Sequence, residues 1–94
     1  ICNIKKNAAK SSEWNIVGPI CESSDVLAKY FKISAKEGDI LAIKTAGAYG
    51  YVMSSNYNTR RRPPEILVDK DQYKIIRKRE SYDEMFKNEI EIED

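Results

Sequence analysis

Turn signals divide this sequence into pieces of strand length. Asn7, Gly18-Pro19, Glu37-Gly38-Asp39 and Asp69-Lys70-Asp71 each close off a short apolar stretch. Such residues stop regular structure through left-handed backbone, a fixed φ or side-chain competition for backbone hydrogen bonds. Between them, "EWNIVGPI" and "DILAIKT" are rich in β-branched and bulky residues, so each is expected as a strand buried on one or both faces. "EILVD" and "YKIIRKR" lie two or three residues apart, a spacing that suits a hairpin. "DVLAKYFKI" is ambiguous. Ser23 or Ser24 would cap a short helix there, but the alternation of Val26, Ala28 and Tyr30 favours a strand. The expected class is mainly β, over one domain spanning residues 1–94.

One helix is expected near the end. In "ESYDEMFKNE", Ser81 stands three positions before Glu84, the capping-box spacing in which each side chain satisfies an orphan backbone donor of the other. The spacing predicts a helix of two or three turns with Tyr82, Met85 and Phe86 as its apolar stripe. The closing "IEIED" is too strongly charged to stay docked.

A chain of 94 residues allows one domain with a modest core and little stability to spare. Its formal charge of +1 gives no general electrostatic reason to expect nucleic acid or a membrane as partner. No apolar run reaches the roughly 20 residues that cross a bilayer, and "ICNIKKNAAK" lacks the order of a signal peptide. The two cysteines, Cys2 and Cys21, do not form a dense secreted-type framework, so both read as reduced thiols of a cytoplasmic protein. The opening "ICNI" resembles the end of a strand whose beginning is missing, as in a piece of a longer protein.

The chain has no histidine. This excludes Ser-His-Asp and Cys-His nucleophilic sites and most transition-metal sites, and no metal is expected. No glycine-rich phosphate loop leads into a helix. Gly47 and Gly50 flank Tyr49 in "AGAYG" with neither dinucleotide nor P-loop spacing, and read as a sharp bend where backbone passes close to something. The run "TRRRPP" invites a nucleic-acid reading. It stands alone, however, and Pro63-Pro64 make it an extended connector into "EILVD". Tyr49, Tyr51 and Tyr57 near it have packing as their ordinary explanation, with function at Tyr49 as the alternative.

Cys21 has two plain readings, a small buried hydrophobe and a chance surface thiol. Against both stands Glu22, a carboxylate in a loop directly after an apolar strand, where sites are commonly built. From residue types alone the alternatives stay open.

"NIVGPICESSDVLAK", "KEGDILAIKTAGAYGYVMSSNYNTR" and "RPPEILVD" closely resemble the C-terminal domain of the diaminopimelate decarboxylase family, pyridoxal-phosphate enzymes of the alanine-racemase-like fold type. The resemblance runs from about Asn15 to Phe86. It implies a β-sandwich or Greek-key barrel domain with a short C-terminal helix, belonging to an enzyme whose N-terminal (β/α)₈ barrel is absent from this chain. That barrel holds pyridoxal 5'-phosphate through a Schiff-base lysine, a role that no lysine here matches. The implied reaction is decarboxylation of meso-diaminopimelate to lysine.

The resemblance also implies three roles. Cys21 matches the proton donor to the α-carbon, and a thiol, ordinarily titrating near 8.5, keeps its proton at neutrality while remaining able to release it. Glu22 matches the residue that binds the substrate's distal ammonium group. Tyr49 matches a residue touching cofactor and substrate, its hydroxyl able to donate to the phosphate. In such enzymes the cysteine and glutamate are delivered across a homodimer interface into the partner's barrel, so this chain alone is expected to be inactive. Ornithine and arginine decarboxylases of the same type carry aspartate after the cysteine, so "CES" favours the diaminopimelate branch over that alternative. A third reading is a non-catalytic β-module that binds a protein partner through its exposed edge. The sequence departs from the family's "NxRPRPAE" at Arg61 and Pro64, which loosens one turn and stiffens the next.

Overall fold

The computed structural model describes residues 1–5 and 10–93. The turn signal at Asn7 lies outside the described residues. The chain is mainly β, as expected, with its strands paired as three two-stranded antiparallel sheets and with few, short helices. It divides into two units, Ile1–Thr45 and Ala46–Asp94.

In the first unit, β2 (Ser12–Val17) pairs with β3 (Val26–Ile33), so "DVLAKYFKI" is a strand. The pairing runs from Ser12 opposite Ile33 to Val17 opposite Val26, and slips twice, each time leaving an extra residue on β3. At the slip between Trp14 and Ile16, Tyr30 takes a left-handed φ of 53° and its N–H is donated to Asn15 Oδ1 at 3.1 Å. A side chain on the partner strand thus satisfies the donor that the bulge removes from the ladder. A shorter ladder joins β1 (Cys2–Asn3) to β4 (Leu41–Ala42). Only two residues of "DILAIKT" are strand, where a longer one was expected. The turn before it is organised by Asp39, whose carboxylate accepts from Lys36 N–H at 3.0 Å and from the Asn3 amide at 2.9 Å, with Gly38 at φ +90°.

In the second unit, β5 (Glu65–Asp69) and β6 (Gln72–Arg77) form the expected hairpin, with Lys70 in the left-handed region at its tip. Arg77 and Glu65 face each other at the open end, Nε to Oε2 at 3.4 Å. Ahead of the hairpin lie α1 (Gly47–Gly50), where a sharp bend was expected around Tyr49, and a 3₁₀ turn (Tyr57–Thr59). The arginine run is extended as expected, yet Arg62 is an anchor rather than a solvated connector. Its N–H is donated to Glu80 Oε1 at 3.0 Å, Glu80 N–H returns to Arg62 C=O at 3.3 Å, and its guanidinium reaches Ser54 C=O at 2.6 Å. Tyr51 lies beneath the guanidinium groups of Arg77 and Arg62, at 4.1 and 5.8 Å.

The last helix, α2 (Tyr82–Phe86), is capped as the sequence predicts. Ser81 Oγ accepts from Glu84 N–H at 3.1 Å and Ser81 N–H is donated to Glu84 Oε1 at 3.3 Å. It is shorter than expected, because Tyr82 and Phe86 stack on each other at 6.4 Å while both stay exposed, so little apolar burial extends it. Ile90 and Ile92 beyond it are exposed, as the charged ending implies.

The expected modest core is not found. Among the described residues no side chain is fully buried, and Trp14, Val17, Ile66, Leu67 and Ile75 are all exposed. The chain exposes 8771 Å² in all.

With so little packing, local caps carry the order of α2. Replacing Ser81 by Ala should cost the helix about 1 kcal/mol, a factor of roughly five. Hydrogen exchange at the Glu84 amide should accelerate accordingly, while the β2–β3 amides remain unchanged.

Candidate functional site

The turn joining β2 to β3 carries Cys21 and Glu22, and its shape follows from two carboxylates. Asp25 accepts Ile20 N–H on Oδ2 at 2.9 Å, while its carbonyl accepts Gly18 N–H at 3.0 Å. Gly18 leaves room for that carboxylate, since a Cβ there would lie within 2.1–2.4 Å of the Asp25 carboxyl group. Any side chain at that position would displace the carboxylate from Ile20. Inside the loop, Glu22 N–H is donated to Ile20 C=O at 2.8 Å and Asp25 N–H to Glu22 C=O at 3.0 Å.

Glu22 turns its carboxylate back onto the two serines that follow it. Ser24 N–H is donated to Oε2 at 2.9 Å, the Ser24 hydroxyl to the same oxygen, and the Ser23 hydroxyl to Oε1 at 3.4 Å. These donors favour the charged form, Ser24 most of all, and hold the Glu22 carboxyl below its ordinary 4.5. The group is exposed, so the carboxylate is ionised and open to a cation. Cys21 beside it is an exposed free thiol, which removes the buried-hydrophobe reading. Cys2 is also free. The described residues contain no cluster able to hold a metal ion.

Tyr49 stands in the other unit, on α1, 68% exposed. Its N–H and that of Gly50 are donated to Ala46 C=O, at 3.2 and 2.7 Å. Gly47 and Gly50 do not make the close backbone approach expected of them, since a Cβ at either would meet nothing within 4 Å. Among glycines with positive φ only Gly38 appears, so no backbone strain demands glycine here either. Gly47, Gly50 and Tyr51 border an open groove of about 510 Å³ with Pro63, Pro64, Ile66 and Leu67, and Tyr49 is not part of that lining. The Tyr49 phenol is exposed and able to donate to a group from outside the chain.

Serine's part at Glu22 was not read from "CESS". The signal was the two hydroxyls directly after the glutamate, each a donor within reach of its carboxylate.

The sequence matches the family described as "Pyridoxal-dependent decarboxylase, C-terminal sheet domain" over residues 1–47. It is 54% identical over 85 residues to a diaminopimelate decarboxylase of Pseudomonas fluorescens, covering 90% of this chain and 20% of that protein. With the corresponding protein of Pseudomonas aeruginosa it shares 48% identity over 86 residues, 92% of this chain and 21% of that one. Among solved structures, diaminopimelate decarboxylase from M. jannaschii in complex with L-lysine superimposes with a TM-score of 0.84 at 38% identity, covering 96% of this chain and 21% of the other. The chain thus spans about a fifth of the length of the curated relatives it matches.

The Glu22 geometry has a direct titration consequence. Its folded pKa is lowered, so the loop order it contributes is present above 4.5 and lost as pH falls through the lower folded value. Ser24→Ala removes the strongest of the side-chain donors, and the Glu22 carboxyl resonance should then titrate closer to 4.5 in a ¹³C NMR pH series.

Proposed function

Because the chain belongs to the pyridoxal-dependent decarboxylase family, as its C-terminal sheet domain, we propose that it is the proton-donating and substrate-selecting part of a diaminopimelate decarboxylase. In this reading residues 1–94 act as one β-rich domain of a cytoplasmic homodimer. The catalytic site is completed by an N-terminal (β/α)₈ barrel. The observation that carries the proposal is the Cys21-Glu22 pair, presented together on one exposed turn of a chain about half identical to such enzymes.

Pyridoxal phosphate, when bound, supplies the electron sink that lets carbon dioxide leave the α-carbon. The Cys21 Sγ–H then delivers a proton to that carbon, forming the C–H bond of lysine and leaving a thiolate that water reprotonates. A thiol can do this only if it is unoxidised and reachable, and Cys21 is free and exposed on its turn. Glu22 selects the substrate. Diaminopimelate has an ammonium group at its far end, and a carboxylate kept ionised by Ser23 and Ser24 pairs with it through a charge-assisted hydrogen bond. Substrates lacking that group leave the carboxylate unpaired in a closed site, which disfavours them. Glutamate, with one methylene more than aspartate, also separates this reading from decarboxylases of ornithine or arginine. Tyr49 donates its phenolic proton to the cofactor's phosphate, and Gly47 and Gly50 leave the space that such an approach needs.

Two variants of the complete enzyme, barrel included, test the assignments. Cys21→Ala should lower kcat by about 100-fold or more, the ordinary scale of general-acid catalysis. Lysine formation equal to that of the unaltered enzyme would remove Cys21 from the role. Glu22→Asp should lower kcat/KM for diaminopimelate by roughly 10- to 100-fold, the scale of a lost hydrogen bond to a charged group. In a substrate panel, an unchanged preference for diaminopimelate over ornithine and arginine would overturn Glu22 as selector.

A further inference from the structure

The arginine run leaves a feature that neither the hairpin nor the proposed reaction uses. Arg60, Arg61 and Arg79 line one open pocket of about 310 Å³, together with Asn58, Thr59 and Tyr82. Every group in that lining is cationic or a neutral hydrogen-bonding side chain, and none is a carboxylate. Of the carboxylates nearest in sequence, Asp83 lies outside the lining and two others are engaged elsewhere. Glu80 accepts from Arg62 N–H and Asn56, and Glu84 closes the capping box with Ser81. Since the whole chain carries only +1, the three guanidinium groups are a local concentration of charge and not part of a generally basic surface.

The backbone beneath them is tied down. Arg62 and Glu80 exchange hydrogen bonds, so Arg61 and Arg79, each one residue before that rung, emerge from two cross-linked segments. Arg60 C=O accepts from the Asn56 amide at 2.9 Å. Above this frame, the Arg61 guanidinium lies over the Tyr82 ring, 5.0 Å from its centroid. Planar guanidinium forks match the oxygens of phosphate two at a time, and like charges brought into one concavity repel unless a multivalent anion joins them.

We propose that this pocket binds an oxyanion of the phosphate class, held by Arg60, Arg61 and Arg79. The proposal rests on the pocket alone and does not depend on the catalytic reading. It is tested by calorimetric titration of the full chain with inorganic phosphate at constant ionic strength, with any cofactor site filled beforehand by pyridoxal phosphate and the unbound cofactor, itself a phosphate ester, removed. A parallel titration with glycerol phosphate separates free from esterified phosphate as the better ligand.

Saturable binding of either is expected, weakened at least tenfold in the double variant Arg61→Gln/Arg79→Gln and unchanged in Lys74→Gln, which removes an exposed charge outside the pocket. Should the double variant fail to fold, Arg60→Gln alone should weaken binding by several-fold. The proposal is overturned if neither phosphate binds saturably, or if chloride at the same ionic strength gives the same heat, which would mean an adventitious ion only. Affinity within twofold of the unaltered chain in the arginine variants would overturn it as well.

Discussion

What the rest of this structure depends on is a shortage of enclosed apolar volume. Strands, hairpin and helix all form, yet no side chain among the described residues is withdrawn from water. Burial ordinarily supplies the dominant favourable term in folding, at about 25 cal/mol per Å². Here its work is left to hydrogen bonds between side chains and nearby backbone. Asn15 fills the bulge opposite Tyr30, Asp25 ties the β2–β3 turn, Asp39 ties the turn before β4, and Glu80 joins the arginine run to the segment between β6 and α2. Each such bond contributes only about a kilocalorie net in an exposed setting. The apolar faces of Trp14, Ile66 and Ile75 therefore represent stability that is realised only when another surface covers them.

The same economy shapes the site. Cys21 and Glu22 are held by a loop whose geometry depends on one glycine and one aspartate, with no packed wall behind it. Such a loop is well defined at its base and open at its tip. That suits a pair of groups meant to act on something outside the chain. The serines after Glu22 keep it charged with no cationic partner among the described residues, leaving that charge available to a substrate.

Legibility followed the range of the forces involved. The hairpin, the β2 strand and the capping box depend on neighbours a few residues away, so breakers, alternation and the Ser81-Glu84 spacing were enough to find them. The extent of β4 and α2 depends on what each packs against, which periodicity does not contain; both came out shorter than the sequence suggested. "AGAYG" misled because glycine beside an aromatic suggests a bend, whereas Ala46 C=O organises a helical turn there. Cys21 and Glu22 were visible as an unusual pair, but their roles came from resemblance to a family. Arg62 was hidden inside a run of identical residues, where only the Glu80 rung sets it apart from Arg60 and Arg61.

Stability and activity then share one requirement. A thiol in open water exchanges its proton with solvent, and a carboxylate in open water pairs with any cation at little gain, because high dielectric weakens the attraction several-fold relative to a closed site. Both groups become selective only once the loop is covered. In the proposed reading, association covers both the loop and the exposed apolar residues of its own unit, Trp14 and Val17, so the association that completes that unit's fold completes the active site too. Stabilisation by a partner that binds only the folded form grows with its concentration relative to the dissociation constant. Dilution should then erode fold and catalysis together, and a variant that weakened either contact would be felt in both.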